Sequence, residues 1–264
     1  MSALRGELSK VMATRLLLWT AVTAVGIAGS LTGLLAFIGP ENSTPPMPGI
    51  DTAEGAGMIL GLGTVTLFIP ALIGTVAVTS EYRHRTIGTT FLAVPRRGRV
   101  LGAKLLVFSA VGVVYGVLSS LTTGIVLLSV AAMRGVELGV GVDELTSALG
   151  KLAIASAVYV LLGVAIGALA RNQLLAVGIV LGYFYFVEYV IMLIPGLNVL
   201  YPYLPGGATA SLTHFTFLTQ TISEQTALAA APLVSPLLGA LILLGYTLAG
   251  ALIAVTVPLR RDVQ

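Results

Sequence analysis

Glu81-Tyr-Arg-His-Arg-Thr-Ile-Gly-Thr-Thr-Phe-Leu-Ala-Val-Pro95, followed by Arg96, Arg97, Arg99 and Lys104, is a polar island between two apolar runs, each long enough to cross a bilayer. Glu81 and Arg85 stand four apart with the acid first, the favourable order for a helical pair. Ile87, Phe91 and Val94 recur at i, i+4 and i+7 and make one apolar face, and Pro95 is a stop signal. The spacing predicts one amphipathic helix over residues 81–95. Such a helix, flanked by cations, suits a protein partner lying against the membrane. It reads equally well as an ordinary loop held inside by its charge.

Outward from that island the chain is oily. Of its 264 residues 56% are hydrophobic and only 9% charged, with a mean hydropathy of +1.00. Soluble domains run at about 25% charged, so a water-soluble globule is excluded and an all-α membrane protein is expected. The net charge of +3 matters less than where the cations lie. Outside the island there is no basic run with interleaved aromatics, so no nucleic-acid partner is expected. Cysteine is absent, which removes disulfides and thiolate metal sites.

Hydropathy predicts six spans, at residues 16–37, 56–79, 100–133, 152–170, 174–194 and 237–257. Leu4, Leu8, Val11 and Met12 share one face of an N-terminal helix over 1–14, away from Arg5, Glu7, Ser9 and Lys10, which reads as an interfacial helix. A first apolar run of roughly 22 residues crosses a core of about 30 Å. It exceeds the 7–15 apolar residues typical of a cleaved signal and is read as retained. Pro70 predicts a kink or unwinding in the second span. Residues 195–236 carry no Lys or Arg. They are too apolar for a solvated loop and too broken by Pro and Gly to cross, so a re-entrant outer segment is expected. Within it Phe215, Phe217, Leu218 and Ile222 suit a short interfacial helix.

With the N-terminus inside, twelve of the fourteen cations fall in cytoplasmic segments, and only Arg134 and Lys151 lie outside. This is the positive-inside bias. It predicts a multi-pass protein of the cell inner (plasma) membrane with both termini cytoplasmic and Arg260-Arg261 closing the last span. The acids lean the other way, with Glu41, Asp51, Glu54, Glu137, Asp143, Glu144 and Glu224 outside.

Catalytic readings find no residues. The two histidines, His84 and His214, form no His-x-x-x-His pair for zinc. There is no phosphate-binding Gly-x-x-x-x-Gly-Lys-Ser/Thr and no Gly-x-Ser-x-Gly. No span holds a histidine or an aspartate. No enzyme activity, catalytic residue, cofactor or metal site is expected in this chain. Glu188, in Tyr183-Phe-Tyr-Phe-Val-Glu-Tyr189, is the one carboxylate expected well inside the membrane, where a charge costs roughly 2.5–3.5 kcal/mol and needs a partner or water. It reads as part of a translocation path or outer gate, with Tyr185 and Tyr189 beside it, or as a hydrogen-bonded acid that locks helices together. Gly29/Gly33, Gly112/Gly116, Gly163/Gly167 and Gly178/Gly182 are small-residue pairs that let helices approach closely.

An interfacial N-terminal helix, six spans, the Glu81-Tyr-Arg-His-Arg-Thr-Ile-Gly … Pro95-Arg-Arg-Gly-Arg … Lys104 run and Tyr203-Leu-Pro-Gly-Gly-Ala208 before the last span together resemble a type-2 ABC exporter permease. The resemblance implies a permease that pairs with a second permease, identical or paralogous, and sits on two copies of a separate P-loop ATPase. ATP and Mg would be bound there and not in this chain. It implies that residues 81–95 are the coupling helix, with Glu81, Arg83, Arg85, Thr86 and Ile87 on the ATPase side. Arg96, Arg97 and Arg99 would hold the loop against anionic lipid. His84 departs from the small or polar residue expected at its position. The general polarity of the bundle suits a small amphipathic or lipid-like substrate, a drug, antibiotic or lipid. Two other readings stand beside this one: a secondary transporter or channel that needs no partner, and a membrane scaffold or sensor subunit. The first of these usually shows an internal repeat, and none is evident here.

Overall fold

The computed structural model describes residues 3–44, 46–94, 96–226 and 232–256. Among them there is no strand, and six helices are long and apolar enough to cross a membrane. A short helix α1 (Ala3–Ala13) precedes the first long one, α2 (Leu16–Ile38). The second span is α3 (Ala53–Leu62), a 3₁₀ stretch Gly63–Leu67, and α4 (Phe68–Arg83). After α5 (Ile87–Ala93) come α6 (Arg97–Arg134) and α7 (Val142–Ala170). The fifth span joins α8 (Gln173–Gly182), a π-helical turn Tyr183–Val187, and α9 (Glu188–Leu193). Then follow α10 (Pro205–Thr213), α11 (Phe217–Thr226) and the last long helix α12 (Pro236–Thr256).

The core is built on α7, which packs against α6, α4 and α12, while α2 lies on α6 and α10 on α12. Lipid is as apolar as leucine, so close packing rather than the hydrophobic effect must hold such a bundle together. Three of the four small-residue pairs do this work. A Cβ on Gly112 or Gly116 of α6 would come within 2.8 Å or 2.4 Å of the α7 backbone at Ala157 and Ala153. One on Gly163 would collide with the Ala71 carbonyl of α4. Gly29 and Gly33 seat side chains of α6, at Thr122 and Val126. Gly178 and Gly182 meet nothing within 4 Å and face away from the bundle.

Several expected boundaries move, each for a local reason. The island predicted as one helix from Glu81 is two. The second span runs on to Arg83, Arg85 takes a left-handed φ of 55°, and α5 starts afresh at Ile87. Glu81 therefore belongs to the end of a span, and α5 ends at Ala93, before Pro95, which lies outside the described residues. The helix that carries the fourth span begins at Val142, ten residues before the span expected from 152, with Asp143 and Glu144 in its first turn, where the N–H groups and the helix dipole favour acids. The unwinding expected at Pro70 appears just upstream. Pro70 has no N–H for the Thr66 carbonyl, and the five residues before α4 wind as 3₁₀ helix. Of the outer segment 195–236, the described part holds a 3₁₀ turn Asn198–Tyr203 and two helices. Phe217, Leu218 and Ile222 lie on α11, as expected, and Phe215 lies in the bend before it. Residues 227–231, Val257, Arg260 and Arg261 lie outside the described residues.

Candidate functional site

At the arginine-rich end of the bundle two acids and two lysines from three elements meet. Glu7 of α1 is 2% exposed and Lys104 of α6 4%. Lys104 Nζ lies 2.5 Å from Glu7 Oε2 and 2.7 Å from Glu81 Oε1, and also donates to the Ala77 carbonyl at 3.3 Å. Lys10 Nζ closes the ring at 2.8 Å from Glu7 Oε1 and 3.0 Å from Glu81 Oε1. Its third donor reaches Thr90 Oγ1 on α5 at 3.1 Å. The four charges cancel, which is the condition under which ions tolerate a low-dielectric setting. Burial pulls the Lys10 amine down, but the hydrogen bond and charges of Glu7 and Glu81 more than reverse this and raise it above its ordinary value. It stays cationic throughout the neutral range.

This quartet wires the short helices to the bundle. Glu7 and Val11 of α1 face the bundle, whereas Leu4, Leu8 and Met12 stand 47%, 48% and 78% exposed on the other side. Sequence reasoning put Val11 on the face of Leu4, Leu8 and Met12, whereas it packs on the bundle core, and it did not assign Glu7 a partner. A signal was present: Lys104 lies eight residues inside a long apolar helix, and an ionisable group there requires a counter-charge. The predicted Glu81–Arg85 pair does not form, because the chain turns at His84 and Glu81 faces the lysines instead.

Of the residues expected on the ATPase side, Glu81 and Ile87 are buried and only Arg83, Arg85 and Thr86 are exposed. Arg83 Nη1 donates to Gln173 Oε1 at 3.3 Å, spanning to the α7–α8 turn. The Thr86 N–H donates to the Glu81 carbonyl at 2.9 Å, closing the bend between α4 and α5. Arg96 and Arg99 are exposed, whereas Arg97 lies over the Phe91 ring, 5.1 Å from its centroid, and pins α5 to α6.

A second cluster lies toward the other end. Glu188 is 4% exposed and accepts the Gly206 N–H at 3.0 Å. Gly206 is the second residue of α10, one of the N–H groups that a helix start leaves unpaired, so the carboxylate caps α10 in a position its dipole favours. A Cβ on Gly206 would sit 1.9 Å from Glu188 Oε2, so a larger residue there would displace the carboxylate. The neighbouring Gly207 meets the Tyr201 carbonyl in the same way. The Tyr203-Leu-Pro-Gly-Gly run is thus a helix start shaped to receive an acid. Tyr159 Oη and Thr209 Oγ1 lie 2.9 Å apart and tie α10 to α7. Tyr185, in the π-helical turn, donates to the Val65 carbonyl at 2.8 Å, and its ring meets Phe68 edge-on at 5.4 Å. The irregular parts of the second and fifth spans therefore face each other. Between them lies a cavity of about 70 Å³ lined by Glu188, Tyr185, Tyr189, Tyr159 and Tyr201 among others.

Among the described residues no group of three or more His, Asp and Glu could hold a metal. A family model described as "ABC-2 family transporter protein" matches residues 3–187, from α1 through the π-helical turn. No curated protein matches the chain.

Proposed function

The chain belongs to the ABC-2 family of transporter membrane proteins, and from that premise we propose that it is the permease of an ATP-driven exporter of amphipathic or lipid-like molecules. As a multi-pass permease of an ABC transporter it works with an ATP-binding subunit. The finer reading is that two such subunits bind ATP and Mg, dock under the arginine-rich end, and hydrolyse ATP on their own chains. That end then faces the cytoplasm of an inner-membrane protein with both termini inside, as the cation distribution favours. A second permease would pair along the fifth span, where Gly178 and Gly182 leave a face open to close approach.

The observation that carries the proposal is the Lys10–Thr90 bond. It joins the exposed turn and α5 to a buried ionic ring that also grips the second and third spans. A push on Arg83, Arg85 and Thr86 from below would reach three helices at once through the buried Glu7, Glu81 and Lys104 contacts, with the half-exposed Lys10 as the link to α5. Arg96 and Arg99, exposed beside α6, suit anionic headgroups. At the other end the Glu188 cavity, with Tyr185 and Tyr189 on its wall, is the candidate gate of the translocation path. The partner-independent and scaffold readings gain no specific support.

The test is copurification followed by reconstitution. Wild-type chain carrying an affinity tag and purified from its native membrane should bring down a P-loop ATPase. Arg83→Glu with Arg85→Glu should lose it while leaving the bundle folded. Glu81→Ala with Arg85→Ala should retain basal ATP hydrolysis and lose its stimulation by substrate. Retention of the ATPase by the double Glu variant, or unaltered efflux from the double Ala variant, would defeat the proposal.

A further inference from the structure

A groove of about 950 Å³ opens at the end of the bundle opposite the ionic quartet, between α3, the first turns of α7 and the bend from α10 into α11. Its floor is apolar, with Met58, Leu152 and Phe215 among the side chains that line it. Its rim carries Glu54, Asp143 and Glu144, all exposed, against the one Lys151, with the exposed His214 on the α10–α11 side. Each acid sits in the first turn of a helix, where it complements the dipole. Among the described residues none of these three carboxylates is held in an ion pair. Three carboxylates over one ammonium leave the groove negative above a greasy floor. Phe215 is 5% exposed and lines both this groove and the small Glu188 cavity, so its ring is the wall between them. Gly61 makes room for that ring, since a Cβ there would fall 1.9 Å from it.

We infer that this groove binds amphipathic cations, an aromatic or aliphatic body bearing a positive charge, and that Phe215 separates the bound cation from the Glu188 cavity. The inference rests on the exporter reading only for the direction of passage, since binding itself needs no ATPase. Shape selects the apolar body, which the floor takes from water. Charge selects the sign, because the three acids at the starts of α3 and α7 outnumber the one lysine. In this arrangement the groove is the chamber a cationic substrate occupies beyond the Phe215 wall.

Tetraphenylphosphonium and tetraphenylborate are nearly identical in shape and opposite in charge, and their binding to the full chain in zwitterionic nanodiscs tests the idea. Partition into empty nanodiscs is subtracted. The chain has no cysteine, so Ser147→Cys, on the groove wall, carries an environment-sensitive fluorophore that locates the bound ion. The expected result is a shift of that fluorophore by the phosphonium and about a tenfold preference for the cation, the scale of two uncompensated charges roughly 12 Å away at the dielectric of water, where cation and anion differ by twice the Coulomb energy. Glu54→Gln, Asp143→Asn and Glu144→Gln together should erase the preference, and Lys151→Gln should raise it about threefold. Equal binding of the two ions, or a preference unaltered by Lys151→Gln, overturns the inference whether or not the triple variant folds. So does fluorophore protection that rises with protein concentration and not with the cation, which would assign the groove to a second copy of the chain. Because no ATPase is present, loss of the ATPase in copurification would sink the exporter reading and leave this measurement standing.

Discussion

Lys104 and Glu7, 97 positions apart in the chain, close to 2.5 Å with each side chain about 95% or more buried. Removing one member of a buried pair strands the other charge and costs about 3–5 kcal/mol, more than the pair contributes over a well-packed apolar replacement. Glu7→Gln and Lys104→Met should each lower the unfolding midpoint sharply. The double variant should recover much of the loss. A double-mutant cycle that finds the two losses additive would show that the contact carries no coupling.

Arg85 holds a left-handed backbone, which costs a residue with a Cβ about 1–2 kcal/mol. Arg85→Gly should therefore raise thermal stability by up to that amount, and Arg85→Lys should leave it unchanged. The same glycine variant should weaken ATPase binding if the exposed guanidinium is a contact. Stability and binding would then move in opposite directions, which a simple loss of folding could not produce.

Gly206→Ala should force Glu188 off the start of α10 and destabilise the bundle by about 1–3 kcal/mol, as overpacking does. Glu188→Gln retains an acceptor for the Gly206 N–H and should fold nearly as well while altering transport. Normal efflux from a Gln variant expressed at wild-type level would confine Glu188 to a structural role.

Glu41 is held below the usual carboxylate range by its own backbone N–H and then by Arg134, whose guanidinium bonds its Oε1. A depressed carboxyl contributes stability above its unfolded value, about 4.3, and loses it as pH falls through the lower folded value. Acid unfolding should thus steepen below that point, and Arg134→Gln should flatten the slope there. An unchanged acid limb in that variant would remove the pair from the account.

The six spans were legible because each is a continuous apolar run, and hydropathy needs no knowledge of neighbours. The small-residue pairs at Gly112/Gly116 and Gly163/Gly167 pointed to close helix contacts for the same local reason. The quartet was not legible as a unit. Its members are Glu7, Lys10, Glu81 and Lys104, and no periodicity connects positions that distant. A local rule even paired Glu81 with Arg85, because i, i+4 spacing counts only while the helix continues, and this one stops at Arg83. Glu188 was recognised as an acid in need of a partner. That partner is a backbone N–H of α10, a group present in every sequence and therefore invisible until the fold presents it.

The π-helical turn at Tyr183–Val187 holds the fifth span in a winding wider than the ordinary one. Such turns amount to one residue inserted into an α-helix, and one residue corresponds to about 100° of rotation. Were that surplus expelled toward either end, every side chain beyond it would swivel by roughly a quarter turn. Glu188, the first residue after the turn, would swing clear of Gly206, and Tyr185 would let go of Val65. Within four residues the span thus holds two neighbours, the second span and α10, through hydrogen bonds that depend on the same winding.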